Sequence, residues 1–146
     1  MSTTVANSIL GLPSIQFTSP NYTNIQSGNI TPTWTVVQAN SRYSPTFSPA
    51  SLFVNNTVTI PSAGTWRLVF EAYFQGGSNL SNGNYVSLGL GNKTVGGVPT
   101  SSGYAAQQLV YECFMSAGTQ ITAPSFNANY SGGNVVGLVL NVAKLN

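Results

Sequence analysis

Val58-Thr59-Ile60-Pro61-Ser62-Ala63-Gly64-Thr65-Trp66-Arg67-Leu68-Val69-Phe70-Glu71-Ala72-Tyr73-Phe74 is the stretch that decides the fold. Side chains alternate along a β-strand, so residues two apart share a face. From Thr65 to Phe74 that period puts Trp66, Leu68, Phe70, Ala72 and Phe74 on one face. Thr65, Arg67, Val69, Glu71 and Tyr73 take the other. A shorter strand, Thr57 to Ile60, precedes it and is stopped by Pro61-Ser62-Ala63-Gly64.

The same punctuation runs through the rest of the chain. Val, Ile, Thr, Tyr, Phe and Trp cluster in short runs separated by Gly, Pro, Asn and Ser. Thr33 to Ala39 reads as a strand, and Asn40 to Pro49 as a loop. Tyr85 to Leu90 alternates, with Val86, Leu88 and Leu90 inward. Gly76 to Gly83 is a loop, and Gly91 to Gly103 holds a turn, a short strand and another loop. Ala106 to Met115 places Leu109, Tyr111, Cys113 and Met115 on one face. Gln120 to Ala123 and Phe126 to Tyr130 follow, and Ser131-Gly132-Gly133 turns into a last strand, Asn134 to Leu145. No segment has a helical pattern.

That last strand is apolar on both sides. Val136, Leu138, Leu140 and Val142 line one face; Val135, Gly137, Val139 and Ala143 line the other. A strand apolar on both faces is covered on both. In a two-layer sandwich the second cover must be a neighbouring subunit or the N-terminal arm. Val135, Val139 and Ala143 are therefore expected at a subunit interface.

Composition narrows the function. The 146 residues carry four basic and two acidic side chains and no His. Arg42, Arg67, Lys93 and Lys144 face only Glu71 and Glu112, and Asp is absent. Catalysis and metal binding draw on His, Asp, Glu, Lys and clustered Cys, so no enzyme, cofactor or metal site is expected. Glu71 and Glu112 have no accompanying polar groups of the glycosidase kind. They read better as strand-face partners for Arg67 or Lys144. Arg67 and Glu71 share a face but lie ~13 Å apart along one strand at ~3.3 Å per residue. Pairing must then be cross-strand or between subunits, which adds Arg67, Glu71 and Glu112 to the interface candidates. Cys113 is the only cysteine, so no internal disulfide forms; it reads as a buried apolar residue. No basic stripe follows a phosphate backbone, and no run reaches the ~18 apolar residues of a membrane helix. Nucleic-acid binding and membrane insertion are not expected.

From about Asn55 onward the order of features resembles the complement globular-head and tumour-necrosis-factor-like jelly roll. Val58 to Leu68 is similar to that superfamily's strand, Pro-x-x-Gly turn and aromatic strand. Tyr85-Val86-Ser87-Leu88, Leu109-Val110-Tyr111, Ser116-Ala117-Gly118-Thr119-Gln120-Ile121 and Val135-Val136-Gly137-Leu138-Val139-Leu140 follow in order. Thr119 stands where the family usually has Asp, and Val136 where it has an aromatic. The resemblance implies an all-β, single-domain Greek-key jelly-roll sandwich of eight or ten strands that forms a homotrimer through an apolar face. Residues 1–30 are read as an N-terminal arm or edge strand, with Ile9 to Phe17 able to reach a neighbour, and residues 31–146 as the jelly roll.

Similar jelly rolls recur in viral capsids. The start MSTTVANSILGLPS has no basic n-region and no long apolar h-region. The expectation is a virion structural protein, a capsid, spike or decoration component made in the host cytoplasm, with itself and other virion proteins as partners. One alternative is a receptor- or carbohydrate-binding tip that recognises a host-surface glycan, with Trp34, Tyr43 and Tyr130 stacking on sugar. Another is an extracellular filament subunit held by strand donation. Asn21, Asn29, Asn55, Asn79, Asn92 and Asn129 head Asn-x-Ser/Thr sequons, possible glycosylation sites mostly at turns. With so few carboxylates and no His to titrate, unusual tolerance of low pH is also expected.

Overall fold

The computed structural model describes residues 12, 14–40, 53–54, 57–75, 85–94, 98–99, 104–122, 124–128 and 132–146. Thirteen strands run in order: β1 Ser14–Thr18, β2 Gly28–Ile30, β3 Thr35–Asn40, β4 Phe53–Val54, β5 Thr57–Thr59, β6 Gly64–Gln75, β7 Tyr85–Leu90, β8 Lys93–Thr94, β9 Val98–Pro99, β10 Tyr104–Met115, β11 Gln120–Thr122, β12 Ser125–Ala128 and β13 Asn134–Lys144. Every pairing is antiparallel.

One layer is a five-stranded sheet in the order β10-β6-β13-β1-β3. The other is made of two sheets of mostly shorter strands, β2-β12-β7-β8 with β9 beside β7, and β11-β5-β4. The alternation that decided the fold is realised in β6. Trp66, Leu68, Phe70, Ala72 and Phe74 are all buried, and their odd-numbered neighbours are not. They meet Ile15 and Phe17 from β1, Leu138, Leu140 and Val142 from β13, and Leu88, Leu90, Ile121 and Phe126 from the other layer. Each such side chain contributes roughly 1.5–3 kcal/mol by leaving water.

β1 lies between β13 and β3, hydrogen-bonded on both sides. It is neither an edge strand nor a free arm. Ser14 to Thr18 is spent on its own sheet and is not available for donation. Beyond β1 the chain keeps following β13: Ser19 N–H donates to the Leu138 carbonyl, and Tyr22 and Val135 exchange two backbone bonds of 2.8 Å. Residues Ile9 to Gly11 and Pro13 lie outside the described residues, as do residues 41–52 and 76–84.

The last strand departs from a simple alternation. Its register against β6 shifts between Val136 and Val139, so three steps on β13 match two on β6. This is a β-bulge, and Gly137 within it has φ +62°, a conformation open to glycine without strain. An inserted residue reverses which face later side chains occupy. Val135 therefore points inward together with Leu138, Leu140 and Val142, and it is fully buried. The expectation that Val135 sits at a subunit interface is overturned. Val136 and Val139 face outward and are half-buried.

The turn before β6 is locked to the C-terminus. Thr65 N–H donates to Asn146 Oδ1 at 2.8 Å, and Leu145 N–H donates to the Thr65 carbonyl at 2.7 Å. Gly64 has φ +155°, and a Cβ there would collide with the Asn146 backbone carbonyl and with Lys144 Cε. Gly64→Ala is expected to cost about 1–3 kcal/mol, since that carbonyl has to move. Gly118→Ala adds only backbone strain, because nothing lies within 4 Å of its Cβ position, and should cost about half as much or less. Urea unfolding of both variants checks the order.

Candidate functional site: the outer face of the five-stranded sheet

The residues of β6 that point away from the core form rungs with their neighbours. Arg67 stands opposite Glu112 on β10 and Ala143 on β13, and Ala143 stands opposite Ser14 on β1. Val69 stands between Val110 and Asn141, and Glu71 between Gln108 and Val139. Tyr73 stands between Ala106 and Val136. Phe114 lies opposite Thr65 at one end of the face.

Of the two carboxylates on this face, Glu112 is ion-paired within the chain and Glu71 is hydrogen-bonded to a neutral side chain. Arg67 Nε donates to Glu112 Oε2 at 2.5 Å, both side chains being 39% exposed. Gln108 Nε2 donates to Glu71 Oε1 at 2.6 Å. The register explains both contacts, since directly opposed residues in an antiparallel pair bring their side chains together. Cross-strand pairing was one of the two options open to Arg67. It takes Glu112, whereas Lys144 reaches Ser62 Oγ at 3.0 Å.

The three large hydrophobic side chains exposed among the described residues all belong to this face. Tyr73 is 38% exposed, Val110 47% and Phe114 68%. Val69, Val136 and Val139 add half-buried apolar surface beside them, and Ala143 is buried. An open depression of about 450 Å³ lies where β13 bulges, bordered by Glu71, Tyr73, Ala106, Gln108 and Gly137. The Asn21 side-chain carbonyl accepts from Gly137 N–H at 3.4 Å, which brings a sequon asparagine to the same place.

The outer face of the opposite layer is chemically different. Asn29, Asn127 and Ser87 form one rung across β2, β12 and β7, and Ser125, Gly89 and Thr94 lie beside it. With Thr122 and Gly91 they border a shallow trough of about 210 Å³ that has no charged and no aromatic side chain in its lining. Asn29 is exposed on this side, and Asn92 is exposed in the turn after β7. Asn55, Asn79 and Asn129 lie outside the described residues.

The remaining candidates separate. Trp34 is half-buried and packs edge-on against Phe70, with ring centroids 5.7 Å apart and planes at 79°. It serves the core, so it is not a free platform for sugar. Tyr43 and Tyr130 lie outside the described residues. Cys113 was expected inside, but it is exposed. Its register does place it with the inward set opposite Trp66. β10, however, is the edge strand, and the opposite layer leaves that position uncovered. Among the described residues no three of His, Cys, Asp or Glu gather in one place.

Solved structures share this arrangement. Murine APRIL at pH 5.0 superimposes with a TM-score of 0.54 at 16% identity, over 92% of this chain and 99% of that one. Murine APRIL at pH 8.5 gives 0.53 at 15% identity. Eiger TNF from S. frugiperda gives 0.53 at 10% identity, over 93% of this chain and 94% of that one. The fold is a tumour-necrosis-factor-like jelly roll. No protein-family model and no curated protein sequence matches the chain. The tumour-necrosis-factor-like topology explains the order of turns and strands noted from Val58 onward. Within it, the chain's own residues make the two outer faces unlike.

Proposed function

We propose that this chain is a non-enzymatic assembly protein, a homotrimer that buries the outer face of its five-stranded sheet and is built into a virus particle as a coat, spike or decoration component. The observation that carries the assembly reading is the contrast between the two faces. Exposed large hydrophobics gather on one, and the described outer side chains of the other are Ser, Thr, Asn, Gln and Gly. Exposed apolar side chains gathered on one face, here interleaved with the Arg67–Glu112 and Glu71–Gln108 rungs, favour an interaction surface.

Size supports the same reading. Five strands about 4.8 Å apart, the longest of them twelve residues at about 3.3 Å each, outline a face of at most roughly 40 by 20 Å. That is ~800 Å², close to the ~800 Å² per partner of a standard interface. Arg67 and Glu112 neutralise each other within the chain, whereas Glu71 accepts from the neutral Gln108 and keeps its charge, so it belongs at the wet rim of the interface.

The virion role rests on composition and on the recurrence of jelly rolls in capsids; fold alone does not assign it. Other virion proteins are its further partners, and the host cytoplasm is its place of synthesis. Light scattering of the purified protein at pH 7 and pH 3 tests the assembly. A mass three times that of the chain at both values is expected, and a monomer at micromolar concentration overturns it. An antibody raised against the chain should label purified particles from its source. Particles free of label overturn the virion role alone.

Tolerance of acid follows from the same inventory. An exposed ion pair stabilises by about 0–1 kcal/mol. Arg67–Glu112, with both side chains 39% exposed, is such a pair. Unfolding free energy in urea is expected to drop by less than about 2 kcal/mol between pH 7 and pH 3, since Glu71 and Glu112 are the only side-chain carboxyls in the sequence. A drop above roughly 4 kcal/mol overturns the expectation.

A further inference from the structure

Phe114 is the most exposed of the three large hydrophobics, at 68%. It projects from β10 at the end of the face where Arg67 and Glu112 pair. The depression beside Gly137 lies at the other end of the same face, where Ala106 and Tyr73 stand opposite each other. Phe114 and Ala106 are eight residues apart on one strand, about 26 Å at ~3.3 Å per residue. Phe114 therefore cannot reach the depression of its own chain.

We propose that Phe114 of one copy seats in the depression between Tyr73, Ala106 and Gly137 of the next copy. This rests on the self-association reading above and names the contact that sets its register. Gly137 contributes by having no side chain: a Cβ there would stand 3.7 Å from Tyr73 Cβ and would narrow the opening. The Tyr73 ring offers an aromatic partner for an aromatic knob. Glu71, which accepts a hydrogen bond from Gln108 and keeps its charge, lines the rim. A knob and its seat at opposite ends of one face make a head-to-tail contact, and such contacts close a ring when the rotation between copies is right. Three copies then each give one Phe114 and receive one.

The test uses the full chain in a Cys113→Ser background, which leaves no other thiol. Protein carrying Phe114→Cys is mixed with protein carrying Ala106→Cys and oxidised with diamide, while light scattering reports the mass. Both positions are exposed, so both variants should fold. The expected result is a disulfide between unlike chains at a yield at least about tenfold above either protein alone. Self-associated protein without that disulfide overturns the seat and leaves the assembly reading standing. Monomer in every sample, wild type included, overturns both. Ala106→Trp keeps Phe114 but fills its seat, and should weaken self-association at least about tenfold with no change in the urea midpoint of the monomer. Unchanged association of that variant overturns the proposal.

Discussion

Trp66→Ala should remove about 3–5 kcal/mol of folding stability, the largest loss from any single side chain in this core. Trp66 is fully buried at the centre of the face on which the sandwich is built. Its indole Nε1 donates to the Ser62 carbonyl at 3.0 Å, tying β6 to the turn that precedes it. Alanine leaves a cavity that two packed layers cannot close, and it also strands that carbonyl. A domain of this size holds about 5–15 kcal/mol in all, so about a fifth or more of it goes. With a urea slope of about 1–3 kcal/mol/M, the midpoint falls by about 2 M. Trp66→Phe keeps most of the volume and loses the hydrogen bond, and should cost roughly a third as much. Trp34→Ala is the control, since Trp34 is only half-buried. Equal losses at Trp34 and Trp66 would mean that the inward face of β6 has been wrongly assigned.

The alternation in β6 was legible because nothing interrupts it: twelve residues, one register, one apolar face. The end of β13 was misread for an equally specific reason. Val135 to Val142 looks apolar on both faces when an uninterrupted period of two is laid over it. Gly137 ends that period. An isolated glycine inside a strand signals a bulge, and counting afresh from it sends Val135 inward with Leu138. The sequence thus held the signal, at a residue first treated as one more small apolar position. Cys113 failed differently. Its face was right, but whether a face is covered depends on the strand's place in the sheet, and nothing local in Ala106 to Met115 states that β10 is the edge. β1 is the converse case, a short polar-flanked segment that reads as an edge and lies inside the sheet because β3 pairs on its far side. The pairing of Arg67 with Glu112 also needed register, since residues 45 apart in sequence meet only when the strands are aligned.

Val110→Glu should abolish self-association while leaving the fold intact, the largest effect expected on assembly. Val110 lies at the middle of β10, opposite Val69, with the Arg67–Glu112 rung on one side and the Glu71–Gln108 rung on the other. It is 47% exposed in the single chain, so a carboxylate there stays in water and folding stability changes by about 0.5 kcal/mol. Burying the face changes that balance. The new charge has no cationic partner left, because Arg67 already holds Glu112, and Glu112 stands only ~6.6 Å along the same strand face. An unpaired charge buried at an interface costs about 3–5 kcal/mol, which is a loss of a hundredfold or more in affinity at about 1.4 kcal/mol per tenfold. The variant should sediment as a monomer at concentrations where the wild type is trimeric, with the same urea midpoint once monomer is compared with monomer. Asn127→Glu puts the same charge on the opposite outer face, where Asn127 is exposed between Asn29 and Ser87. If the five-stranded sheet is the assembly face, that variant stays trimeric. Loss of assembly in Asn127→Glu with retention in Val110→Glu would move the interface to the other layer, and the apolar patch would then need a different occupant.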